Sequence, residues 1–378
     1  MTGLATRAAT RPLRGRPLLY RSYAQDMALF NTRPKRIWVG VIVVLALLAP
    51  FVLQDPTLEV LALGCAFAIG ALGLNIVTGL AGQVSLGHAF FLGIGAYTAA
   101  AISGDPEGRT LGMGVTSMLV WLPAAGLVAA VAGVLVAPLA TRLRGLYLAV
   151  VTLGLVFLGE HVFREWTDLT GGAGVGREGA VPELFGYRFA EDSAMLTAEQ
   201  NLYLLMLVLL LGFALAARNL ARSRVGRAFA AVRDRDMAAE MMAINLPRTK
   251  TLAFGISAFY GGCAGGLIYA VVGFFEPSTF GLLLSVQFIA MVLIGGAGTV
   301  SGTIMGALFI SLLPTITREL PAYVPFISAS ATDSPNVYQV ESILYGALII
   351  VFLLFEPRGL YGIWIRIRNY WKGWPFSY

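Results

Sequence analysis

The chain has 378 residues, of which 57% are hydrophobic and only 13% are charged. A soluble domain of this length needs more polar side chains to cover its surface, so the composition excludes a soluble globular protein. The formal net charge of +6 comes from Lys and Arg residues that lie beside apolar runs. That placement indicates membrane topology rather than nucleic-acid binding, and no nucleic-acid partner is expected.

The first 36 residues are rich in arginine, contain three prolines and include no apolar core. We expect residues 1–36 to form a basic cytoplasmic tail. No cleavage pattern precedes the first apolar run, so no removed signal peptide is expected. Cys65 and Cys263 lie alone in separate apolar runs, where a cysteine is expected to act as a small packing residue.

Apolar runs then follow one another to the end of the chain. Most have the length of about 17–25 residues that crosses a hydrocarbon core about 30 Å thick. The eighth is short and ends in glycine, which suggests a half-helix. The sequence therefore predicts an all-α, polytopic transmembrane helical bundle of about 10 spans: Ile37–Leu53, Leu58–Thr78, Ser85–Ile102, Val115–Leu139, Gly145–Val162, Leu202–Ala217, Thr251–Val272, Ser285–Ile294, Thr299–Thr315 and Val340–Phe355.

The distribution of basic residues predicts the orientation of these spans. With ten spans, all but five of the 27 Lys and Arg residues lie on the side of the N-terminus. Cytoplasmic loops carry such an excess, so both termini are expected in the cytoplasm. The expected organisation is a tail at 1–36, a membrane domain at 37–362 and a cytoplasmic C-terminal tail at 363–378.

The second and third spans contain G-A-L-G-L-N-I-V-T-G-L-A-G-Q-V-S-L-G-H-A-F-F-L-G-I-G-A-Y-T-A-A, from Gly70 to Ala100. Glycines this dense permit close helix approach and a backbone break near Gly79–Gly87. Non-helical backbone at membrane depth needs protein or water around it, so such a break would line a cavity. Polar residues in apolar spans are functional candidates, which predicts a substrate pathway at Asn75, Gln83, Ser85 and His88.

An alternative explains the same residues without a pathway. A tight glycine-rich hairpin could use these polar groups to cap helix ends. His88 taken alone is more often a hydrogen-bonded packing residue than a ligand or a proton carrier. Both interpretations remain open from the sequence.

The longest polar interval after the tail runs from Arg218 to Lys250, with eight Arg or Lys residues against three acids. Ser223 can cap a helix, the middle favours a helix, and Pro247 is expected to end it. We therefore predict one amphipathic helix over Ser223–Asn245 that projects from the basic side of the membrane. Such a helix offers a surface for a partner protein.

Two further glycine motifs follow this segment. G-G-C-A-G-G in the seventh span contains two small-xxx-small pairs, which predicts tight helix packing. I-G-G-A-G-T-V-S-G, from Ile294 to Gly302, repeats Gly, Ala, Gly, Val and Ser of G-L-A-G-Q-V-S-L-G, from Gly79 to Gly87. Paired glycine-interrupted segments in transporters point to the substrate path. The sequence leaves open whether either segment is a cytoplasmic hairpin or re-entrant.

Three stretches together resemble the LivM-type permease subunit of bacterial branched-chain amino acid ABC importers. They are the Gly73–Ala100 motif, S-R-V-G-R-A-F-A-A-V-R-D-R-D-M-A-A-E-M-M-A-I-N, and M-V-L-I-G-G-A-G-T-V-S-G-T-I-M-G-A followed later by E-P-R-G-L. Two positions depart from the family pattern. Ala243 replaces a usual glycine, a change that a helix tolerates, and T-G-G-A-G-V-G replaces the usual T-G-G-S-D-G after the fifth span.

The resemblance implies that residues 223–245 form a coupling helix that fits a groove of a cytoplasmic ATPase. The contacts it implies are Gly226, Arg227, Arg233 and Glu240. It also implies a second, LivH-like permease, two ABC ATPases that bind ATP and Mg²⁺, an extracytoplasmic substrate-binding protein, and a place in the bacterial cytoplasmic (inner) membrane among its lipids. The expected cargo is a branched-chain or other apolar amino acid.

Other functions are less well supported by the residues. Permeases for urea, short amides or other amino acids share these motifs. An ion-coupled secondary transporter usually needs a carboxylate within a span, and no predicted span has one near its middle. An enzyme is not expected: no lysine completes a nucleotide-binding G-x-x-x-x-G-K-[ST], and His88 and His161 are the only histidines. Neither a metal site nor a cofactor is expected in this chain.

Overall fold

The computed structural model describes residues 33–143, 145–193, 196–323 and 336–373, so most of the predicted tail at 1–36 lies outside the described residues. Within these ranges the fold is predominantly α-helical. The helices are α1 Arg33–Leu48, α2 Asp55–Asn75, α3 His88–Ser103, α4 Met118–Arg142, α5 Leu146–Glu165, α6 Thr167–Thr170, α7 Ala198–Arg222, α8 Arg224–Asp234, α9 Asp236–Met241, α10 Leu246–Val272, α11 Leu282–Gly295, α12 Val300–Tyr323, α13 Val337–Phe355 and α14 Gly359–Gly373.

Short strands complete the described fold. They are β1 Arg177–Glu178, β2 Glu183–Leu184, β3 Tyr187–Arg188 and β4 Phe274–Phe275. β1 pairs antiparallel with β4, and β2 pairs antiparallel with β3 in a hairpin. Because β1 pairs with β4, the connection between α5 and α7 packs against the end of α10.

Six helices in the described part of the chain are long and apolar enough to cross a membrane, and a seventh span arises if the bent pair α13–α14 counts as one. A polytopic membrane protein is therefore confirmed, whereas the predicted count of about 10 is not. The difference comes from short apolar helices, including α3 with 16 residues and α11 with 14. At 1.5 Å per residue such helices extend only about 21–24 Å, less than a hydrocarbon core. The predicted domain boundary at 362 falls inside α14.

Helices α2 and α10 form the centre of the bundle. α10 packs against α2, α3 and α4, and α2 also packs against α7 and α12. The most apolar window of each is mostly buried, at 83% for α2 and 78% for α10, against 28% for α4. A helix that is hydrophobic all round belongs in the interior of such a bundle, whereas the outer helices keep an apolar face for lipid.

Glycine permits the closest of these contacts. A Cβ atom on Gly95 of α3 would lie 2.1 Å from the carbonyl oxygen of Gly262 in α10, and one on Gly262 would lie 2.5 Å from the carbonyl oxygen of Ala125 in α4. No other residue fits at either position without moving a backbone. The tight packing predicted from G-G-C-A-G-G is confirmed.

α2 joins two opposite ends of the bundle. Near its start, Asp55 accepts a hydrogen bond from Thr197, while Asn75 at its other end contacts Gly298. We name the end of the bundle near Asp55 the hairpin end; it is formed by residues 104–117, 166–193 and 273–281. We name the end near Asn75 the break end; it is formed by residues 76–87, 223–245 and 296–299.

Candidate functional site

The two glycine-rich segments that echo each other in sequence meet at the break end. α2 ends in a π-helical turn, Ile76–Leu80, and non-helical backbone follows up to His88. α11 likewise stops at Gly295 before α12 begins at Val300. The side chain of Asn75 bridges the two breaks: its Oδ1 accepts from the Gly298 backbone nitrogen at 2.7 Å, and its Nδ2 donates to the Thr299 carbonyl at 3.4 Å.

The other three residues predicted for the pathway are also buried at this first break. Gln83 donates from Nε2 to the Ala81 carbonyl at 3.3 Å, and the Ser85 hydroxyl accepts from the Gly87 backbone nitrogen at 3.3 Å. His88 opens α3, and its Nε2 lies 2.8 Å from the Gly70 carbonyl oxygen. Its ring also meets Phe288 edge-on, with centroids 5.2 Å apart.

These four residues lie around the first break as predicted, and their hydrogen bonds are to backbone groups, although none of them caps a helix end. Each side chain bonds to a backbone group, and such pairing offsets the cost of burying polar atoms in an apolar bundle. The extended segment alternates in exposure, because Gly82 and Val84 are exposed while Gln83 and Ser85 face inward. A role for the four in binding substrate stays a prediction.

The basic segment at 223–245 folds differently from the single helix that was predicted. Ser223 caps α8 as expected, accepting from the Gly226 backbone nitrogen at 3.2 Å. Arg235 then takes an extended conformation, with φ −160 and ψ 115, and separates α8 from the short α9. Pro247 does not end a helix but lies in the first turn of α10, which Asn245 caps. Proline fits there because the first turn has no intrahelical use for its missing N–H.

Ala243 also departs from its expected helical conformation. Its φ of 58 is positive, in the left-handed region that glycine adopts without strain. For other L-residues this region costs roughly 1–2 kcal/mol. The usual glycine of the family is therefore explained by this turn, and the expectation that a helix tolerates alanine here is wrong.

One face of α8 is anchored in the bundle. Phe229 and Val232 are buried, and Gly226 lies so close to the end of α7 that a Cβ would sit 2.2 Å from the Leu220 carbonyl oxygen. Gly226, predicted as a contact for an ATPase, is thus buried against α7. Burial of these side chains holds the segment to the membrane domain.

The opposite face of the segment is open to solvent. Between α8 and α9 lies a groove of about 360 Å³, lined by Ala231, Asp234, Arg235, Ala238, Ala239 and Met242. Three methionines in or beside this groove are exposed: Met242 in its lining at 80%, and Met237 and Met241 beside it at 76% and 89%. Methionine is flexible and polarisable and is often used at binding surfaces. We call Met237, Met241 and Met242 the methionine surface.

The three predicted charged contacts have different positions. Glu240 is exposed on α9. Arg227 is exposed and donates to the Arg222 carbonyl at 3.0 Å. Arg233 instead reaches toward the bundle, where its Nη1 donates to the Gly79 carbonyl at 3.1 Å. Only Glu240 and Arg227 therefore lie wholly on the outer side.

A buried ion pair fastens α9 to α10. Lys250 Nζ lies 2.9 Å from Asp236 Oδ2, and the two side chains are only 3% and 16% exposed. Nothing in the local sequence pairs these residues, because both lie in the polar interval from Arg218 to Lys250. Removing one partner of a buried pair leaves the other charge buried and unpaired, which lowers the stability of the fold.

Replacing Lys250 by methionine should therefore lower the free energy of unfolding by about 3–5 kcal/mol. The measurement is an SDS titration of the purified chain in mixed micelles, followed by circular dichroism. The double variant Lys250→Met/Asp236→Leu removes both charges, and we expect it to recover most of the loss. A double variant as unstable as the single one would contradict the pairing.

Arg177 at the hairpin end was not singled out by the sequence patterns, although it is one of the five basic residues expected on the side opposite the N-terminus. It is 5% exposed and donates to three carbonyls, those of Leu169 at 2.6 Å, Ala100 at 2.5 Å and Leu111 at 2.6 Å. Burial lowers the pKa of its guanidinium. Its signal in the sequence was a single arginine directly after the glycine run T-G-G-A-G-V-G.

An aromatic cluster lies beside Arg177. The rings of Tyr97, Phe163, Tyr269, Phe275 and Phe280 pack together, with neighbouring centroids between 4.7 Å, for Tyr269–Phe275, and 5.8 Å, for Phe163–Phe280. These residues come from α3, α5, α10, β4 and the turn before α11. The rings therefore fill the space beside Arg177 at the hairpin end.

Residues 57–353 match the family described as branched-chain amino acid transport system / permease component. The high-affinity branched-chain amino acid transport system permease protein LivM of Escherichia coli (strain K12) is 30% identical over 351 residues, covering 87% of this chain and 76% of that protein.

More distant relatives include LivH of Salmonella typhimurium, at 26% identity over 79% of this chain and 92% of that protein. The autoinducer 2 import system permease protein LsrC of Enterobacter sp. (strain 638) is 32% identical over 46% of this chain and 49% of its own. No solved structure matches. The family match covers most of the helical bundle described above, and the chain belongs to the family of permease components of branched-chain amino acid transport systems.

Proposed function

We propose that this chain is the transmembrane permease subunit of an ABC importer for branched-chain amino acids in the bacterial cytoplasmic membrane. It pairs with a second, LivH-like permease and receives substrate from an extracytoplasmic binding protein. Two partner ATPases bind ATP and Mg²⁺ and drive transport. The break end, which carries Arg224, Arg227, Arg233 and Arg235 and lies next to Arg218 and Arg222, faces the cytoplasm, in line with the positive-inside rule.

The outer face of α8 and α9 is the observation that carries this proposal. The methionine surface is apolar and exposed, yet Asp234, Arg235 and Glu240 flank it, so it suits water better than the hydrocarbon of a bilayer. An exposed apolar patch with a polar rim is typical of a protein interface. An ATPase that binds this surface can also move the helical bundle, because the buried face of α8 is packed against the bundle.

The cargo is inferred from the buried polar residues of the first break. Asn75, Gln83, Ser85 and His88 supply polar groups without a permanent charge, whereas the charged Arg233 contacts the break from α8 with its side chain 42% exposed. A charged wall at membrane depth costs about 2.5–3.5 kcal/mol per residue, so a neutral path suits a small zwitterion with an apolar side chain. We propose that the path runs along the first break, where these four residues would offer hydrogen bonds to the passing amine and carboxylate.

Uptake of radiolabelled leucine into vesicles that carry the full assembly tests the proposal. We expect accumulation that requires ATP and both ATPases and that persists when a protonophore collapses the proton gradient at constant ATP. Vesicles without the ATPases are the matched control. Uptake that survives their removal, or that follows the proton gradient, would point to a secondary transporter and overturn the proposal.

The same vesicles decide the substrate class. Unlabelled isoleucine and valine should compete with leucine, whereas urea and acetamide should not. Competition by the amides alone would place the chain with the amide permeases that share its motifs.

A further inference from the structure

Arg233 lies in the last turn of α8, and its side chain contacts the first break directly. Its Nη1 donates to the carbonyl of Gly79, in the π-helical turn that ends α2. Its Cγ occupies the space that a side chain at position 82 would need, 2.6 Å from where a Cβ of Gly82 would lie. Gly82 also has a φ of 69, in the left-handed region that glycine adopts without strain. Arg233 therefore covers the end of α2 and fixes the backbone that follows it.

The same guanidinium borders the second break. A Cβ on Gly298 would lie 3.3 Å from Arg233 Nη1, and one on Gly79 would lie 2.3 Å from the Gly298 backbone nitrogen. The Gly298 nitrogen donates to Asn75 Oδ1 at 2.7 Å. Both breaks and the end of α8 thus meet at one junction, made of Arg233, Gly79, Asn75 and Gly298.

The junction is closely packed. A Cβ at position 79 would lie 2.3 Å from the Gly298 backbone nitrogen, and the guanidinium of Arg233 donates to the Gly79 carbonyl. The side chain of Arg233 is 42% exposed, and the other edge of its guanidinium is held by Asp234, at 3.2 Å from Nη2 and from Nε. These bonds connect a displacement of α8 to the carbonyl of Gly79 and, through Asn75, to the backbone of Gly298.

We propose that Arg233 is a positioning residue that transmits the movement of α8 and α9 to both glycine-rich breaks, so that the two breaks shift together during transport. It acts on the bundle and is not the contact for the ATPase that the sequence suggested. This inference rests on the proposed function, because the ATPase supplies the movement. It adds the route by which that movement reaches the substrate path.

Arg233→Gln in the complete assembly tests the route. Leucine uptake, ATP hydrolysis and ATPase association are measured on the same vesicles. A hydrogen bond to a charged group is worth enough to change a rate on the order of 10- to 100-fold. We expect the ratio of leucine taken up to ATP hydrolysed to fall by that factor, with association unchanged. Arg233→Lys, which keeps a charge near the Gly79 carbonyl, should recover part of the ratio.

Arg368→Gln is the matched control, because it removes the same charge from an exposed position on α14 and should leave the ratio unchanged. A purely structural role for Arg233 would lower uptake and hydrolysis together and leave the ratio at the wild-type value, which overturns the inference. Loss of ATPase association in Arg233→Gln also overturns it, and would make Arg233 an ATPase contact. The proposed function survives both results, because it is tested separately by whether wild-type uptake depends on the ATPases or on the proton gradient.

Discussion

A Gly95→Leu variant is expected to yield almost no folded subunit. The first atom of any side chain at this position would lie 2.1 Å from the Gly262 carbonyl oxygen and 2.3 Å from its Cα. Overpacking against side chains costs about 1–3 kcal/mol. Here the obstacle is backbone at the centre of the bundle, so α3 and α10 must separate, and the cost approaches the whole stability of a domain, about 5–15 kcal/mol.

The measurement is fluorescence-detected size exclusion of the tagged chain after extraction in mild detergent. Gly212→Leu is the control, since nothing lies within 4 Å of a Cβ at Gly212 on α7. We expect the monodisperse peak to be lost in the first variant and kept in the second. A Gly95→Leu protein that elutes and melts like the wild type would contradict the packing of α3 on α10.

Met241→Asp should abolish stable association with the ATPases while the subunit itself stays folded. Met241 is 89% exposed, so the change removes no internal contact of any size. It places a charge in the middle of the methionine surface, which must lose water when a partner binds. Loss of a central interface residue costs at least about 2 kcal/mol, roughly 30-fold in Kd.

Co-purification of the ATPases with the tagged permease, followed by titration in detergent, measures this effect. Met113→Asp provides the control, because Met113 is also exposed, at 69%, but lies at the hairpin end. Equal loss of association in both variants would indicate a general defect. Full association of Met241→Asp would show that the ATPases bind elsewhere, and the proposed role of α8 and α9 would have to be abandoned.

The sequence was sufficient to predict the long helices of the bundle. Their apolar runs have the length of a span, and a run such as Thr251–Val272 differs from α10 only at its start. The short helices were predicted less accurately. The eighth span, Ser285–Ile294, was predicted shorter than α11. The third was predicted to begin at Ser85, three residues before α3, because Leu86 and Gly87 continue the hydrophobic pattern although their backbone is not helical. Hydropathy alone does not distinguish such backbone from helix.

The break at Arg235 could not be predicted, because R-D-R-D-M-A-A-E contains only residues that a helix accepts. It is explained by contacts on both sides of it. Phe229 and Val232 hold α8, while the ion pair between Asp236 and Lys250 holds α9 to α10. Tertiary anchoring of two short helices in different directions overrides local propensity.

The backbone break near Gly79–Gly87 was predicted correctly from the density of glycine. The role of the polar residues at 75–88 in a substrate pathway stays a prediction. The hydrogen-bond partners of these polar side chains could not be inferred from the sequence. Asn75 bonds to a backbone nitrogen 223 residues later, and nothing in the local sequence specifies a contact at that distance.

That separation has a consequence for how the protein is made. The backbone around the first break is paired by groups that are synthesised much later: Leu86 donates to Thr152, Ala89 donates to Ser285, and Asn75 pairs with Gly298. At about 5–20 residues per second, the ribosome needs roughly 10–45 s to travel from Asn75 to Gly298. During this interval α2 and α3 are already in the bilayer with the donors of the break unpaired by their native partners. The first spans therefore cannot form all their native hydrogen bonds until the last third of the chain has been synthesised. A nascent chain that ends before residue 298 still lacks the partner of Asn75.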